Sequence, residues 1–225
     1  CSPADEQTNA GGGTPDGSAA ISGKLQLVGS TSVDPLAQKL AAEYKKQNGS
    51  IDIGIQAVGS GAGIEATVNG TAGIGMSSRD LTAAEKAKGI QETVIAKDGI
   101  AVAVNPANKV SGLTSEQIRK IFMGEISNWS EVGGDDQEII VVSREDGSGT
   151  RSAFEELLKV ETEKDGKKAS GLRKDANIAE GNGAVQSNIG TKTNAIGYVS
   201  LGHVNGSIKP LEVDGVKATT ENVLN

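Results

Sequence analysis

The sequence predicts an α/β protein of two lobes with a ligand cleft between them, on three observations. Short β-branched runs alternate with amphipathic stretches from residue 23 onward. A second series of the same kind follows Asn105-Pro106. Four strand ends run into glycine and hydroxyl residues that open a helix. Strand–helix alternation favours mainly parallel strands, and ligands of such sheets sit outside the carboxyl ends of the strands.

In the first series LQLVG (25–29) reads as a strand. Asp34-Pro35 starts a helix that places Leu36, Ala37, Leu40, Ala41 and Tyr44 on one face. IDIGIQAV (51–58) is a strand, followed by a glycine turn and a short helix over 62–69. AGIGM (72–76) is a short strand, and 82–88 a helix closed by Gly89. ETVIAKDGIAVAVN (92–105) holds one or two long strands. In the second series Thr114 and Gln117 form a capping box ahead of Ile118, Ile121 and Phe122. EIIVVSR (138–144) is a buried strand, and 150–160 a helix with Phe154, Leu157 and Leu158 inward. Residues 161–175 are a charged surface excursion, 181–190 a helix, and AIGYVSL (195–201) a strand. The tail alternates over IKPLEV (208–213). The expected division is a tether over 1–21, lobe I over 22–102 plus 200–225, and lobe II over 103–199, with crossings near 100–105 and 195–202.

Whole-chain numbers narrow the function. A net charge of −7 in 225 residues argues against nucleic acid, whose binders carry a basic stripe. It also means that an anion would be captured by local dipoles and a buried arginine rather than by the overall field. Aromatics at 2% are too few for a stacking groove. The lone cysteine, Cys1, rules out an internal disulfide, and a lone histidine, His203, leaves one candidate base for a Ser-His-Asp triad. No Cys/His zinc cluster is possible, and no cofactor or metal is expected. No apolar run approaches the roughly 20 residues that span a bilayer. Residues 2–20 are small, polar and Gly/Pro-rich, a flexible tether on the order of 25 Å long. An N-terminal cysteine ahead of such a tether resembles a bacterial lipoprotein, so Cys1 is the expected lipidation site.

The most informative stretch is VVSREDGSGTRSAF (141–154). Arg144, Ser148, Gly149 and Thr150 gather a fixed charge, two hydroxyls and free backbone N–H groups at a helix start, the chemistry of a small tetrahedral oxyanion site. GSTS (29–32), GSGAG (59–63) and GMSSRD (75–80) share the design. Each alone is explained by helix capping and tight turns. Four in alternate βα turns converge on one cleft. Walker A is absent, because no lysine follows the glycine of GSGTRS, and no G-x-G-x-x-G follows a strand. The nucleophile-elbow pattern is missing at Ser60 and Ser148.

These segments, with IRKIFMGEISNWSEV (118–132) and AIGYV (195–199), resemble the phosphate-binding proteins of bacterial high-affinity phosphate ABC importers over about residues 23–202. The resemblance implies a periplasmic-binding-protein-like fold of type II and a receptor that catalyses no reaction. It implies phosphate ligation by Thr31, Ser32 (through its N–H), Ser60 and Ser78 from lobe I, and by Arg144, Ser148, Gly149 (amide only) and Thr150 from lobe II. Asp146 resembles the acid that holds the arginine, with a helix-start acid as its other reading. Arg79 is an outward or inter-lobe ion pair, or extra charge. In relatives with a longer chain a buried aspartate stands where this sequence has Ser78, which bears on sulfate rejection, a role Asp80 or another acid could take. The implied partners are inorganic phosphate, the permease subunits and the membrane through lipidated Cys1, with the receptor on the outer face of the cell membrane as a monomer. The alternatives are another oxyanion (sulfate, molybdate or a phosphonate) in the same fold, or a surface phosphoesterase using Ser148 or Ser60.

Overall fold

The computed structural model describes residues 21–223; the expected tether up to residue 20, with Cys1, lies outside the described residues. The chain opens with β1 (Gly23–Gly29), α1 (Asp34–Gln47), β2 (Ile51–Ala57), α2 (Ser60–Val68), β3 (Ile74–Met76) and a single-turn α3 (Ala83–Lys86). These strands form a parallel sheet in the order β2-β1-β3. Pro35 in the first turn of α1 has no N–H to waste, and Asp34 meets the positive end of the helix dipole. Thr82 and Glu85 close a capping box on α3.

The second series runs β4 (Ile100–Val104), β5 (Gly112–Leu113), α4 (Ser115–Met123), a 3-10 turn (Trp129–Val132), β6 (Ile140–Arg144) and α5 (Gly149–Leu158). It continues with β7 (Glu161–Lys164), β8 (Lys167–Ser170), β9 (Asn177–Ala179), α6 (Gly181–Thr191) and β10 (Ala195–Ser200). The chain then adds β11 (Lys209–Pro210), β12 (Glu212–Val213) and α7 (Thr220–Val223). Five of these strands make a mixed sheet, β11-β4-β10-β6-β9, in which β4 is antiparallel to β10 and β11, and the other pairings are parallel.

This sheet is covered on both faces, and the period-2 alternation of its strands sorts side chains between two buried apolar clusters. Val102 and Val104 of β4 and Ile196 and Tyr198 of β10 face Ile118, Ile121 and Phe122 of α4 and Phe154 of α5. Ala101, Ala103 and Val199 face Val185 and Ile189 of α6. Phe154 stacks on Tyr198 with ring centroids 3.9 Å apart. The expected Thr114–Gln117 capping box starts α4, with Gln117 N–H donating to Thr114 Oγ1 at 3.1 Å.

Four expectations differ from the structure. The segment from 200 onward pairs with the second sheet rather than the first: β11 lies on β4 and β12 on β5. The reason is burial, since Ile208 and Leu211 enter the two clusters of that sheet. Ile100–Ala101–Val102, assigned to lobe I, is also the start of a strand of that sheet. Residues 92–99 form no strand, and Val94 and Ile95 are exposed. On α1 only Ala37 is buried, while Leu40 and Tyr44 are exposed, as is Leu157 on α5. The charged stretch after 160 keeps to the surface, as expected, where it forms a β7–β8 hairpin turning at Asp165-Gly166, both with positive φ, as a two-residue type I′ connection requires.

Candidate functional site

The four hydroxyl turns meet where the two sheets face each other. Ser32 follows β1, Ser60 opens α2, Ser78 follows β3, and Arg144 ends β6 just before the turn into α5. Across the cleft Ser32 Oγ and Thr150 Oγ1 are 2.7 Å apart, and Ser78 Oγ and Thr150 Oγ1 3.4 Å. On the first-lobe side Ser60 Oγ accepts the Ser78 N–H at 3.1 Å and lies 3.2 Å from Ser78 Oγ. Gly61 N–H donates to Gly147 O at 3.0 Å, a backbone bond between the two sides. A Cβ on Gly149 would sit 2.5 Å from Ser60 Oγ and 2.7 Å from Ser78 Oγ, so only glycine permits this approach at the start of α5. Ser148 caps α5, accepting the Arg151 N–H at 3.2 Å.

Arg144 is 1% exposed. Its Nε and Nη2 donate to the two carboxylate oxygens of Glu145 at 2.8 and 2.7 Å. Nη1 is buried and has no hydrogen-bond partner among the described residues. Glu145 also accepts the Gly181 N–H at 3.2 Å, and a Cβ on Gly59 would meet its Oε1 at 3.4 Å. The arginine–carboxylate pair is therefore wedged between the lobes. Burial alone would push the Glu145 carboxyl up, but the hydrogen bonds and charge of Arg144 and the amide donors outweigh it and hold it below its ordinary value. The backbone end of Arg144 is fixed too: its N–H donates to Tyr198 Oη at 3.3 Å, and Tyr198 Oη lies 2.8 Å from Ser143 Oγ. Burial pushes that phenol up to about 12.

Three expectations for individual residues change here. Asp146 does not hold Arg144: its side chain is 98% exposed and pairs with Arg151 at 2.7 Å, while the adjacent Glu145 takes the arginine. Arg151, in the first turn of α5, takes Asp146 instead, which leaves Glu145 as the carboxylate on the guanidinium. Arg79 forms an ion pair, as one of its expected readings had it, but within its own lobe: two bonds of 2.8 Å to Glu85, and no inter-lobe pair. The Ser32 N–H, expected to face ligand, donates to Ser30 Oγ at 3.1 Å, so Ser32 offers its hydroxyl.

The Arg79 hydrogen bonds, joined by those of Thr82, hold the Glu85 carboxyl down at about 2 against an ordinary 4.5. A carboxyl lowered on folding stabilises above its unfolded value and loses that contribution as pH falls through the folded one. The first lobe is therefore expected to lose stability between about pH 4.5 and 2, and Glu85→Gln should flatten that part of an acid-unfolding curve. An unchanged acid limb in the variant would show that the pair contributes nothing.

Two site neighbours carried no sequence signal, and the lone histidine lies beside them. Glu145 is simply the residue beside the arginine. Asn182 follows Gly181 at a strand-to-helix turn of the same design but lacks a hydroxyl. His203 Nε2 lies 2.8 Å from Thr31 O. No group of three or more His, Cys, Asp or Glu side chains placed to hold a metal occurs among the described residues, and no described helix is long and apolar enough to cross a membrane.

Two α/β lobes that bring donor-rich strand ends face to face define a two-lobed binding protein, and the chain belongs to the PBP superfamily, whose domain model matches residues 14–223. Within that class it falls with the phosphate-binding proteins PstS. PstS of Bacillus subtilis is 34% identical over 229 residues, covering 99% of this chain and 72% of that protein. PstS of Borreliella burgdorferi is 35% identical over 196 residues, covering 87% and 70%. Among solved structures, a phosphate ABC transporter substrate-binding protein from Clostridium perfringens with bound phosphate superposes with a TM-score of 0.84 at 44% identity, over 90% of this chain and 81% of that one. An ABC-type phosphate transport receptor from Vibrio cholerae gives 0.69 at 36% identity, over 89% and 81%.

Proposed function

We propose that this protein is an extracytoplasmic receptor that binds inorganic phosphate between its lobes and delivers it to the permease of an ABC importer, without catalysing a reaction. The observation that carries this reading is Arg144 Nη1, a buried cationic donor with no hydrogen-bond partner among the described residues, on the residue that leads into the turn where the hydroxyls of Ser32, Ser60, Ser78 and Thr150 gather. A buried, unpaired charged donor is costly unless an anion accepts from it. Thr31, Ser148 and the Gly149 amide complete the proposed ligand set. Micromolar binding requires about 8 kcal/mol. At roughly 1.5–3 kcal/mol for each charged hydrogen bond, a handful of aimed donors supplies it.

The relatives named above support phosphate over the other oxyanions and over hydrolysis. A serine nucleophile would need a base, and the only histidine has its Nε2 against the Thr31 carbonyl oxygen. Ser78 has no fixed charge, and both oxygens of the Glu145 carboxylate are taken by Arg144, so discrimination against sulfate is itself part of the test. Titration calorimetry is the direct test: tight phosphate binding with at least tenfold weaker sulfate binding is expected, and no heat with phosphate would overturn the reading. Anchoring at Cys1 belongs to the same proposal. Mass spectrometry of the N-terminal peptide from native membranes should show added acyl chains, and an unmodified cysteine would remove that part.

A further inference from the structure

We propose that Asn182 fixes the hydrogen-bond sense of Thr31, and so makes that hydroxyl of the first lobe a donor suited only to a deprotonated oxyanion oxygen; this rests on the phosphate-receptor reading above.

The orientation of the Asn182 amide follows from one contact. Asn182 is fully buried in the first turn of α6, and the Ser200 backbone N–H at the end of β10 donates to its Oδ1 at 2.9 Å. A backbone N–H can only donate, so the other end of the amide must be the donor end. That end, Nδ2, lies 2.8 Å from Thr31 Oγ1 and 3.1 Å from Ser32 Oγ. The Asn182 backbone N–H adds a second donor to Thr31 Oγ1 at 3.4 Å.

A hydroxyl has one proton and two lone pairs. Thr31 Oγ1 receives two donors from the opposite lobe, which uses both of its lone pairs and leaves its proton alone to give away. Ser32 Oγ receives one, and lies 2.7 Å from Thr150 Oγ1. An unconstrained hydroxyl would turn to suit a protonated or a deprotonated oxygen. Under Asn182, Thr31 can only donate, and a P–OH group pointed at it would meet a donor. The proton of a monoprotonated phosphate is thereby directed elsewhere in the site. Asn182 touches no ligand in this scheme; it is a positioning residue acting through Thr31.

The test is Asn182→Asp in the full chain, read by calorimetry with inorganic phosphate. The carboxylate keeps its acceptor for Ser200 N–H and so preserves the structural contact, but it cannot donate, and the two hydroxyls turn their protons to it. Phosphate binding should weaken at least 100-fold while the ligand-free melting temperature stays within a few degrees. Asn182→Ala and Thr31→Val supply a double-mutant cycle that does not depend on the Asp variant folding. Most of the Asn182→Ala loss should disappear in the Thr31→Val background. Wild-type-like binding by Asn182→Asp, or losses that simply multiply in the double variant, would overturn the inference. A wild-type protein that does not bind phosphate would instead overturn the receptor reading.

Discussion

Arg144→Ala is expected to weaken phosphate binding by about 2 kcal/mol or more, roughly 30-fold. Two of the three guanidinium nitrogens are committed to Glu145, so the substitution removes the free Nη1 donor and the charge together. It also leaves a partly buried carboxylate without its counter-charge, wedged between Gly59 and Gly181. That carboxylate would then repel the anion it previously helped to frame. Arg144→Lys should fall between wild type and alanine, since a point charge cannot hold both Glu145 oxygens and still reach a ligand. Calorimetry at fixed ionic strength measures all three, and an alanine variant with wild-type affinity would remove Arg144 from the site.

Gly29→Ala is expected to destabilise the first lobe by about 3 kcal/mol or more, enough to abolish phosphate binding indirectly. Gly29 ends β1 with φ of 145°, in a region that side chains rarely occupy. A Cβ there would lie 2.1 Å from Met76 O, on the paired strand β3, and backbone cannot swing aside as a side-chain tip can. Its carbonyl oxygen accepts from both Val58 and Gly59, at 2.8 Å each, so a shift would propagate into the turn before Ser60. Hydrogen exchange over Lys24–Val28 should accelerate sharply, and a urea midpoint equal to that of wild type would show that the strand can adapt.

The second lobe was largely legible in the sequence. Its strands are buried on both faces, so they show as the continuous apolar runs EIIVV and AIGYV, and Thr114–Gln117 marked a helix start by chemistry that depends only on neighbours. Residues 92–99 misled because β-branched composition records suitability for a strand and not the presence of an edge to pair with. Leu40 and Leu157 sit at helical spacing on faces that meet no cover among the described residues. In the site, hydroxyls and glycines at strand ends were readable because each turn repeats one local design. Glu145 and Asn182 were not, since their importance lies in which partners they hold: the adjacent Arg144 and the distant Gly181 for one, Thr31, Ser32 and Ser200 for the other.

The two sheets are unequally furnished with core. Both buried apolar clusters flank the five-stranded sheet, whereas the buried apolar side chains of the three-stranded one are Ala37, Ile64, Ala72 and Met76. So thin an interior makes the smaller sheet lean on what it touches across the cleft, through Ser32, Gly61 and Thr31. Anything that holds the cleft shut adds RT ln(1 + [L]/Kd) to the ordered form, about 1.4 kcal/mol for each tenfold excess over Kd. Occupancy and endurance are then one quantity. A receptor filled from its surroundings keeps its smaller lobe folded, and one left empty exposes that lobe first to whatever cuts unfolded chain.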